Sequence, residues 1–413
     1  MSGHQSFNMK LIAHDTLVGW GGIGEGMSIQ EAAGGRRIMW LAHEGPPKNF
    51  TGVDVTDPSS PKVVVQRDIE HDCVRSNSLE VCGDIMAVAY QTRSEPGTLD
   101  PGFGRDPAGI ELFDISDPED PKTISFFDCA GPHSMGVHQL WFVDGEYIHF
   151  AGGAPDFQPR NPSDCQIYRC IDVRDPSKPE EAGRWWLPGT AEGDAEDPPA
   201  RHPVFDSGFR AHNTNVYPER PDRVYLAYLD GGMFILDISD KANPKPVGAW
   251  NPHPPHNGFM HTVLPLLSRD LMIVTDECVR DAGEDWPKLT WVVDARDESN
   301  LVPLATLPMP PVEEFRNRGG RYGSHNLHEN RPGPSYRSDR IVFATFFNGG
   351  VRAYDTGNPF QPVEIAHFIP ENPQGSRAGA VQINDVYVDE NRIVYAVDRS
   401  TGGLYILEME VEI

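Results

Sequence analysis

A short acidic phrase recurs along this 413-residue chain and constrains its fold more than any other feature. Each clear copy reads as a hydrophobic residue, Asp, Val or Ile, a variable residue and a second Asp, and three of the four clear copies continue with Pro. Four clear copies, two weaker ones and a degenerate last one place their anchoring acids at Asp54, Asp114, Asp172, Asp237, Asp294, Asp355 and Glu408. Because a phrase repeated every 53 to 65 residues marks a repeated structural unit, the sequence predicts seven units.

Each unit contains four short runs that favour β-strands, separated by turn residues. In the fourth unit these runs lie near residues 212–217, 223–229, 232–238 and 246–250. Four short strands per repeat are typical of a propeller blade, and the 40 Gly and 38 Pro residues fit the many turns that such blades require. The sequence therefore predicts an all-β, seven-bladed β-propeller that forms a single domain over residues 1–413. The expected blades cover residues 21–70, 71–130, 131–187, 205–251, 256–308, 321–370 and 376–413.

The last unit ends after its third strand, so its blade needs a fourth strand from elsewhere in the chain. Residues 8–15 include Lys10-Leu-Ile-Ala, which resembles the fourth strands that begin at Lys62 and Lys122. We expect this N-terminal strand to close the last blade, because joining the two chain ends removes the exposed edges of an open sheet. The alternative is that the first residues form a disordered tail.

The repeated phrase resembles that of the LVIVD-repeat β-propeller proteins, and the resemblance extends over roughly residues 10–413. It implies the propeller fold but no particular activity, because one fold supports many functions. The repeated Asp residues are best interpreted as acids that cap the turns of each blade, and not as catalytic groups.

The net charge of −26 limits the partners that the chain can bind. Nucleic acids and anionic membranes attract basic surfaces, so neither is an expected partner. The sequence lacks an apolar run of 18 residues and its first residues do not resemble a secretory signal, so we expect a cytoplasmic protein. The 6 Cys residues are expected to be reduced thiols, and the oligomeric state is left open.

Histidines recur at one level of the predicted ring. Aligning the first, innermost strand of each blade places Met27, Asn77, His138, His212, His261, His325 and Val381 at the same position in blades 1 to 7. Innermost strands line the central channel of a propeller, so the histidines of blades 3 to 6 are expected to converge at its mouth. Imidazole binds first-row transition metals, and we therefore predict a four-histidine metal site. The alternative is that each histidine only forms a hydrogen bond to a neighbouring blade.

Further acid and base groups are expected around this mouth. His133 and His256 precede two of the histidine strands in matching Pro-His-x4-His segments, and they are candidates for catalytic groups or for hydrogen-bond partners of the ligands. The second strands end at Glu44, Asp230, Glu277 and Asp398, of which Glu44 and Glu277 are the preferred candidates for a general base or an additional ligand. The alternative is that these acids only cap the strand ends.

The loops on the same face suggest the charge of a substrate. Those that lead to the first strands contain Arg75, Arg210, Arg321, Tyr322 and Arg377. Basic groups gathered at one mouth of an acidic protein favour a small anionic substrate, such as a carboxylate. Long insertions at residues 93–109, 154–166, 187–210, 278–288 and 308–323 are expected to build a pocket or a lid there.

Together these residues predict a metal-dependent enzyme. Four histidines in a seven-bladed propeller are similar in arrangement to the centre of the carotenoid-cleavage oxygenases, although the sequence motifs of that family are absent. We therefore expect oxidation of a small organic molecule, with Fe(II) preferred and Mn, Cu or Zn as other candidates. The alternatives are metal-assisted hydrolysis or elimination, with Glu277 or a loop histidine as the base, and a non-catalytic scaffold that binds a partner through this face.

Overall fold

The computed structural model describes residues 3–93 and 102–412, and these residues form seven four-stranded antiparallel sheets. Two N-terminal strands, β1 (Gln5–Phe7) and β2 (Met9–Asp15), precede the first blade. Blades 1 and 2 contain β3 (Ile23–Ala32), β4 (Arg36–His43), β5 (Lys48–Asp54), β6 (Lys62–Asp68), β7 (Val74–Cys82), β8 (Ile85–Thr92), β9 (Gly109–Asp114) and β10 (Lys122–Asp128). Blades 3 and 4 contain β11 (Val137–Trp141), β12 (Tyr147–Gly152), β13 (Ile167–Asp172), β14 (Glu180–Trp185), β15 (Thr214–Tyr217), β16 (Arg220–Ala227), β17 (Met233–Asp237) and β18 (Lys245–Trp250).

The remaining three blades follow the same order along the chain. Blades 5 and 6 contain β19 (Met260–Leu266), β20 (Leu271–Asp276), β21 (Thr290–Asp294), β22 (Val302–Thr306), β23 (Ile341–Thr345), β24 (Val351–Asp355) and β25 (Val363–Ile369). Blade 7 contains β26 (Ile383–Val388), β27 (Ile393–Asp398) and β28 (Gly403–Met409). Short helical turns lie at Ala33–Gly35, Pro162–Asp164 and Leu267–Arg269, and one α-helical turn, α1, lies at Val312–Phe315.

The blades pack side by side around a central axis. The innermost strand of blade 1, β3, contacts the innermost strands of blades 2 and 7, β7 and β26, so the ring is closed. Inner strands are buried on both faces because each blade lies between two neighbours; in β4 the run from Ile38 to Ala42 is fully buried. The predicted seven-bladed propeller is therefore confirmed. Among the described residues, no helix combines the length and hydropathy that spanning a bilayer requires.

The repeated acids cap turns, as their sequence context predicts. Asp54 Oδ1 accepts the main-chain N–H of Thr56 at 3.0 Å, and Asp237 Oδ1 accepts that of Ser239 at 2.9 Å. These bonds hold the turn between the third and fourth strands of a blade. The acids lie on the outer part of each blade and take no part in the centre described below.

The N-terminal residues close the ring. Strand β2 pairs antiparallel with β28, with Lys10 opposite Glu408, and this supplies the fourth strand of blade 7 as predicted. The sequence did not predict β1, which pairs with β25 as an additional outer strand of blade 6. The N-terminal segment therefore links the outer edges of two neighbouring blades.

Blade 6 departs from the expected pattern at its inner edge. Residues 325–328 run beside β23 but form a single bridge instead of a regular strand, between Leu327 and Ala344. The following residues enter the channel, where Arg331 forms ion pairs with Glu80 at 2.6 Å and Glu329 at 3.1 Å. These ion pairs hold the segment after residue 328 against the inner strand of blade 2.

Candidate metal centre

The four histidines of the predicted ring lie together in the channel. His138 belongs to β11 and His261 to β19, whereas His212 and His325 lie in extended segments before β15 and β23. In chain order, the centroids of neighbouring imidazole rings are 4.4, 3.9 and 4.5 Å apart. The Nε2 atoms of His138 and His212 are 2.8 Å apart. The last three histidines are at most 2% exposed, so the cluster is shielded from water.

The Nδ1 atoms of the first two histidines face acceptors outside the cluster. His138 Nδ1 lies 3.0 Å from Gln91 Oε1, an oxygen that also accepts hydrogen bonds from the guanidinium of Arg75. His212 Nδ1 lies 2.8 Å from Asn213 Oδ1, and the amide nitrogen of Asn213 donates elsewhere. Both imidazoles must therefore carry their proton on Nδ1 when they are neutral.

The other two histidines are held in the same way. His325 Nδ1 donates to the main-chain oxygen of Asn384 at 2.6 Å, and His261 Nδ1 lies 2.8 Å from Thr262 Oγ1. A proton held on Nδ1 leaves Nε2 with a lone pair, which is the tautomer that binds a metal through Nε2. The Nε2 atoms of His138, His212 and His325 thus point inward as acceptors, and His261 Nε2 is an acceptor when its Nδ1 donates to the Thr262 hydroxyl.

Burial keeps the imidazoles of His138, His212 and His325 neutral near pH 7. It lowers the pKa of His212 to about 3 and also lowers the pKa values of His138 and His325. Two neutral imidazoles cannot form a hydrogen bond between Nε2 atoms that both carry lone pairs. The 2.8 Å approach of His138 to His212 therefore fits a shared cation.

Glu25 adds a carboxylate to the centre of the cluster. Its Oε2 lies 3.7, 4.0 and 3.6 Å from the Nε2 atoms of His138, His212 and His261, and its Oε1 lies 3.6 Å from that of His325. Two donors bound at about 2.1 Å from one metal ion lie about 3.0 to 3.4 Å apart at neighbouring positions, so these spacings require only small movements. Glu25 Oε2 and two of the Nε2 atoms are buried without a hydrogen-bond partner among the described residues. The cluster is a set of converging acceptors that lacks a donor.

The aligned inner strands predict Met27, not Glu25, at this level of blade 1. The register between β3 and β4 jumps from Ile23 opposite His43 to Met27 opposite Leu41, so residues 24–26 bulge out of the ladder. A bulge redirects side chains that a regular alternation would assign to other positions. The alignment of inner strands was therefore wrong for blade 1, although it was right for the four histidine blades.

Two glycines allow the bulge to approach blade 2. A Cβ atom on Gly24 would lie 2.5 Å from the main-chain oxygen of Asn77, and one on Gly26 would lie 2.2 Å from the main-chain nitrogen of Leu79. Any larger residue would push the bulge away from the neighbouring inner strand. The Gly-Glu-Gly sequence was the signal that could have identified Glu25.

Glu277, one of the preferred acids, lies at the edge of the cluster. Its Oε1 is 3.4 Å from His325 Nε2, and its Oε2 is 3.9 Å from His261 Nε2. Arg321 Nη1 donates to Glu277 Oε1 at 2.6 Å. Burial alone would raise the pKa of Glu277, but His325 and the Arg321 guanidinium lower it to about 2. Glu277 is therefore an ionised group that borders the metal position.

Glu44, the other preferred acid, is held by two arginines. Arg75 Nη1 and Arg399 Nη2 donate to its Oε1 at 2.6 and 2.7 Å. Arg399 Nη1 also lies 4.0 Å from Glu277 Oε1. The sequence analysis missed Arg399, whose only signal was its position directly after the strand-end acid of blade 7. Glu44 thus holds the guanidinium groups of Arg75 and Arg399 together at the mouth of the channel.

A cavity of about 400 Å³ opens from His138 and His212 to the surface. Its charged lining consists of the arginines Arg75, Arg93, Arg210, Arg321 and Arg399 and the acids Glu25, Glu44 and Glu277. Its apolar lining consists of Met135, Leu229, Phe259 and Val279. Among the described residues, positive charges therefore exceed negative ones in this cavity, although the whole protein has a net charge of −26.

The structure does not bring the two loop histidines or Arg377 to the lining of this cavity. His133 is half-buried in the loop before β11, and Arg377 is exposed. His256 packs edge-on against Trp291, with ring centroids 5.0 Å apart. The side chains of His133 and His256 therefore lie outside the lining, although Met135 and Phe259 on the same loops belong to it.

Three further predicted residues, Asp230, Asp398 and Tyr322, form hydrogen bonds with main-chain groups of loops. Asp230 accepts main-chain N–H groups of two loop residues, at distances of 2.5 and 3.1 Å. Asp398 accepts four main-chain N–H groups at 2.6 to 3.0 Å, from Gln382, Ser400, Thr401 and Gly402. Tyr322 donates to the main-chain oxygen of Pro310 at 2.5 Å and stacks on Trp286. The structure therefore favours the strand-end capping alternative for both aspartates.

Comparison with protein families identifies the repeat. The model of the LVIVD repeat matches residues 222–251, which extend from the second to the fourth strand of blade 4. The chain therefore contains an LVIVD repeat within its seven-bladed β-propeller. This LVIVD-repeat protein has no match among curated proteins.

Solved structures that resemble the LVIVD-repeat chain share its fold at low sequence identity. A chain in the Saccharomyces cerevisiae complex of Dbp5 with Nup159, Gle1, IP6 and ADP aligns with a TM-score of 0.54 and 10% identity, over 98% of this chain and 94% of that chain. The β-propeller domain of Cps50 (Swd1) from Myceliophteria thermophila aligns with a TM-score of 0.53 and 12% identity, over 93% and 96% of the two chains. The N-terminal domain of Nup159 aligns with a TM-score of 0.52 and 11% identity, over 98% and 95%. These likenesses show the propeller fold alone.

Proposed function

We propose that this protein is a metal-dependent enzyme that binds one first-row transition metal ion between its four channel histidines and Glu25. The observation that supports the proposal is the set of buried acceptors, in which Nε2 lone pairs and a carboxylate oxygen converge without a donor. Buried polar atoms normally have partners, and a cation satisfies all of these atoms at once. A scaffold that binds another protein has no need of such a centre.

The donor set favours Fe(II), followed by Mn(II). Four imidazoles and one or two carboxylates exceed the four ligands that structural zinc sites use, and iron and manganese accept higher coordination numbers. The thiol of Cys278, the residue after Glu277, is directed to Asp285 and Arg280, so soft sulfur ligands do not contribute. Zn and Cu remain alternatives for the metal analysis.

We favour oxidative chemistry over hydrolysis. Bound Fe(II) supplies the ability to react with O2, and the residues of the chain exclude water, hold the ligands and orient the substrate. Hydrolysis or elimination would need a free base beside the metal. Glu277 is the nearest candidate, but Arg321 occupies one of its oxygens at 2.6 Å, which makes it a poor proton acceptor. The substrate is proposed to be a small anionic organic molecule, because arginines line the cavity.

Metal analysis of the full chain, purified without an affinity tag, tests the proposal. We expect about one Fe or Mn ion per chain, and less than about one tenth of that in His212→Ala and His261→Ala. The matched control is His256→Ala, which removes a histidine that packs on Trp291 away from the cluster. Absence of a stoichiometric metal, or equal metal content in all three variants, would refute the proposal.

Oxygen consumption then separates the two chemistries. Metal-loaded protein incubated with a panel of small organic acids is expected to consume O2 in proportion to the product formed. Turnover that continues under strictly anaerobic conditions would support hydrolysis or elimination and would contradict the oxidative proposal.

A further inference from the structure

Two buried donors in the wall of the cavity lack an acceptor. Arg210 Nε and Gln166 Nε2 are buried and form no hydrogen bond with the described residues. Arg210 Nη1 donates to Gln166 Oε1 at 3.3 Å, which orients the amide so that its nitrogen is the remaining donor. Both residues line the cavity. Because buried donors are normally paired, these two atoms indicate a missing acceptor.

Arg210 also lacks a neutralising carboxylate among the described residues. Its polar neighbours are the amide of Gln166 and the thiol of Cys165, and burial raises the pKa of that thiol, which keeps it uncharged. The other arginines with ion pairs in the cavity share two acids: Arg75 and Arg399 bind Glu44, and Arg321 binds Glu277. The charge of Arg210 is therefore available to an anion.

The position of Arg210 relates this anion site to the histidines. Arg210 and His212 are two residues apart in the chain and both line the cavity, and after burial and His212 the charge of Arg210 also lowers the pKa of the neighbouring His138. An acid bound to the guanidinium therefore extends its next one or two carbon atoms toward the Nε2 atoms. Leu229 and Phe259 contribute apolar surface beside these two residues.

We propose that the cavity binds a small monocarboxylic acid, with its carboxylate on Arg210 and Gln166 and its reacting carbon one or two bonds away, beside His138 and His212. The proposal rests on the proposed metal-dependent function and names its substrate class. Two neighbouring N–H donors match the two oxygens of a planar carboxylate. The apolar wall fits a short aliphatic or aromatic body, and the volume of about 400 Å³ lies in the usual range for small-molecule sites.

Isothermal titration of the metal-loaded full chain tests the site with matched acids and amides. The probes are acetate, butyrate, benzoate and phenylacetate, the corresponding neutral amides, and inorganic phosphate. We expect at least one acid to bind about tenfold or more tightly than its amide and than phosphate. Failure of every acid to bind, or equal binding of acid and amide, or preferred binding of phosphate, would overturn the proposal.

Two variants connect the binding to the predicted residues. Arg210→Met is expected to weaken acid binding about tenfold or more, and Gln166→Glu is expected to do the same because its own carboxylate would occupy Arg210. The control is Arg280→Met, which removes an exposed arginine outside the lining of the cavity. Unchanged acid binding in both Arg210→Met and Gln166→Glu would overturn the assignment.

Metal content distinguishes failure of this inference from failure of the proposed function. Arg210→Met and Gln166→Glu leave all histidines in place and are expected to retain their metal. Stoichiometric metal without acid binding refutes only the carboxylate site. Acid binding that depends on Arg210 in a protein without metal refutes the metal-dependent function and leaves the anion site standing.

Discussion

Replacement of Glu25 by Gln is expected to stabilise the metal-free protein. Glu25 Oε2 is buried without a hydrogen-bond partner among the described residues and lies 3.6 Å from His261 Nε2, which is also an acceptor. Burial lowers the pKa values of His138, His212 and His325, so at pH 8 these three rings are neutral and add no positive charge beside the carboxylate when the metal is absent. A Gln amide removes the charge and donates an N–H to an imidazole. Because an unsatisfied buried group costs about 1 to 3 kcal/mol, we expect metal-free Glu25→Gln to gain about that much stability.

The same change is expected to weaken the metal-loaded protein. Residues that only orient metal ligands change affinity by about 10- to 100-fold, so we expect the loss of a charged ligand to raise the metal Kd about 100-fold. At free metal near 100 times the wild-type Kd, binding stabilises wild type by about 2.7 kcal/mol and the variant by about 0.4 kcal/mol. A chain of 413 residues has an unfolding entropy of about 0.9 kcal/mol/K, so metal raises Tm by about 3 °C and about 0.5 °C respectively.

Calorimetric unfolding at pH 8, with a chelator and with added metal, measures both effects, and competition with a chromophoric chelator measures the metal Kd. The matched control is Glu31→Gln, which changes an exposed acid of the same strand, β3, and is expected to leave the metal-induced shift unchanged. Equal shifts in wild type and Glu25→Gln would refute the role of Glu25 as a ligand. A metal-free variant less stable than wild type would refute the argument that the buried acceptors lack a donor.

Two further predictions concern the inner strands of blades 1 and 2. Gly26→Ala is expected to destabilise the protein by at least about 2 kcal/mol in urea unfolding and to reduce its metal content, because the new Cβ would lie 2.2 Å from the main-chain nitrogen of Leu79; wild-type values for both quantities would contradict it. Burial raises the pKa of Glu80 from 4.5 to about 8 despite its ion pair with Arg331. The folded state therefore binds more protons than the unfolded state between these values, so stability should fall as pH rises from about 5 to about 8. Glu80→Gln should flatten that fall in urea titrations, and an unchanged slope would contradict the assignment.

The fold could be predicted because its signals are local. Each of the six repeated Asp residues accepts the main-chain N–H two residues further on, as Asp54 does from Thr56 at 3.0 Å, so the phrase can be recognised without knowledge of distant contacts. The four histidines could be aligned because each stands at the start of the first strand of its own unit. The missing fourth strand of the last blade likewise predicted the pairing of β2 with β28.

The rest of the site depends on contacts between blades. Arg399 forms ion pairs with Glu44 of blade 1 at 2.7 Å and with Glu277 of blade 5 at 4.0 Å. Ion pairs between distant blades leave no periodic signal in the sequence. Asp230 and Asp398 lie at strand ends, as Glu44 and Glu277 do, but their carboxylates accept hydrogen bonds from main-chain N–H groups. Only the three-dimensional positions of the loops separate these two groups of acids.

The sequence by itself determined the number of blades, the strand that closes the ring and the level at which four imidazoles face the axis, because each follows from short-range patterns repeated in every unit. Only the tertiary structure decided which acceptors share the centre. A bulge of three residues brings Glu25 to within 4.0 Å of all four histidine Nε2 atoms, although the last of these histidines, His325, is 300 positions away in the chain. These residues lie close together because the inner strands of the blades converge on a common axis. The local change of register in β3 then determines that Glu25 is the side chain of blade 1 that reaches the centre.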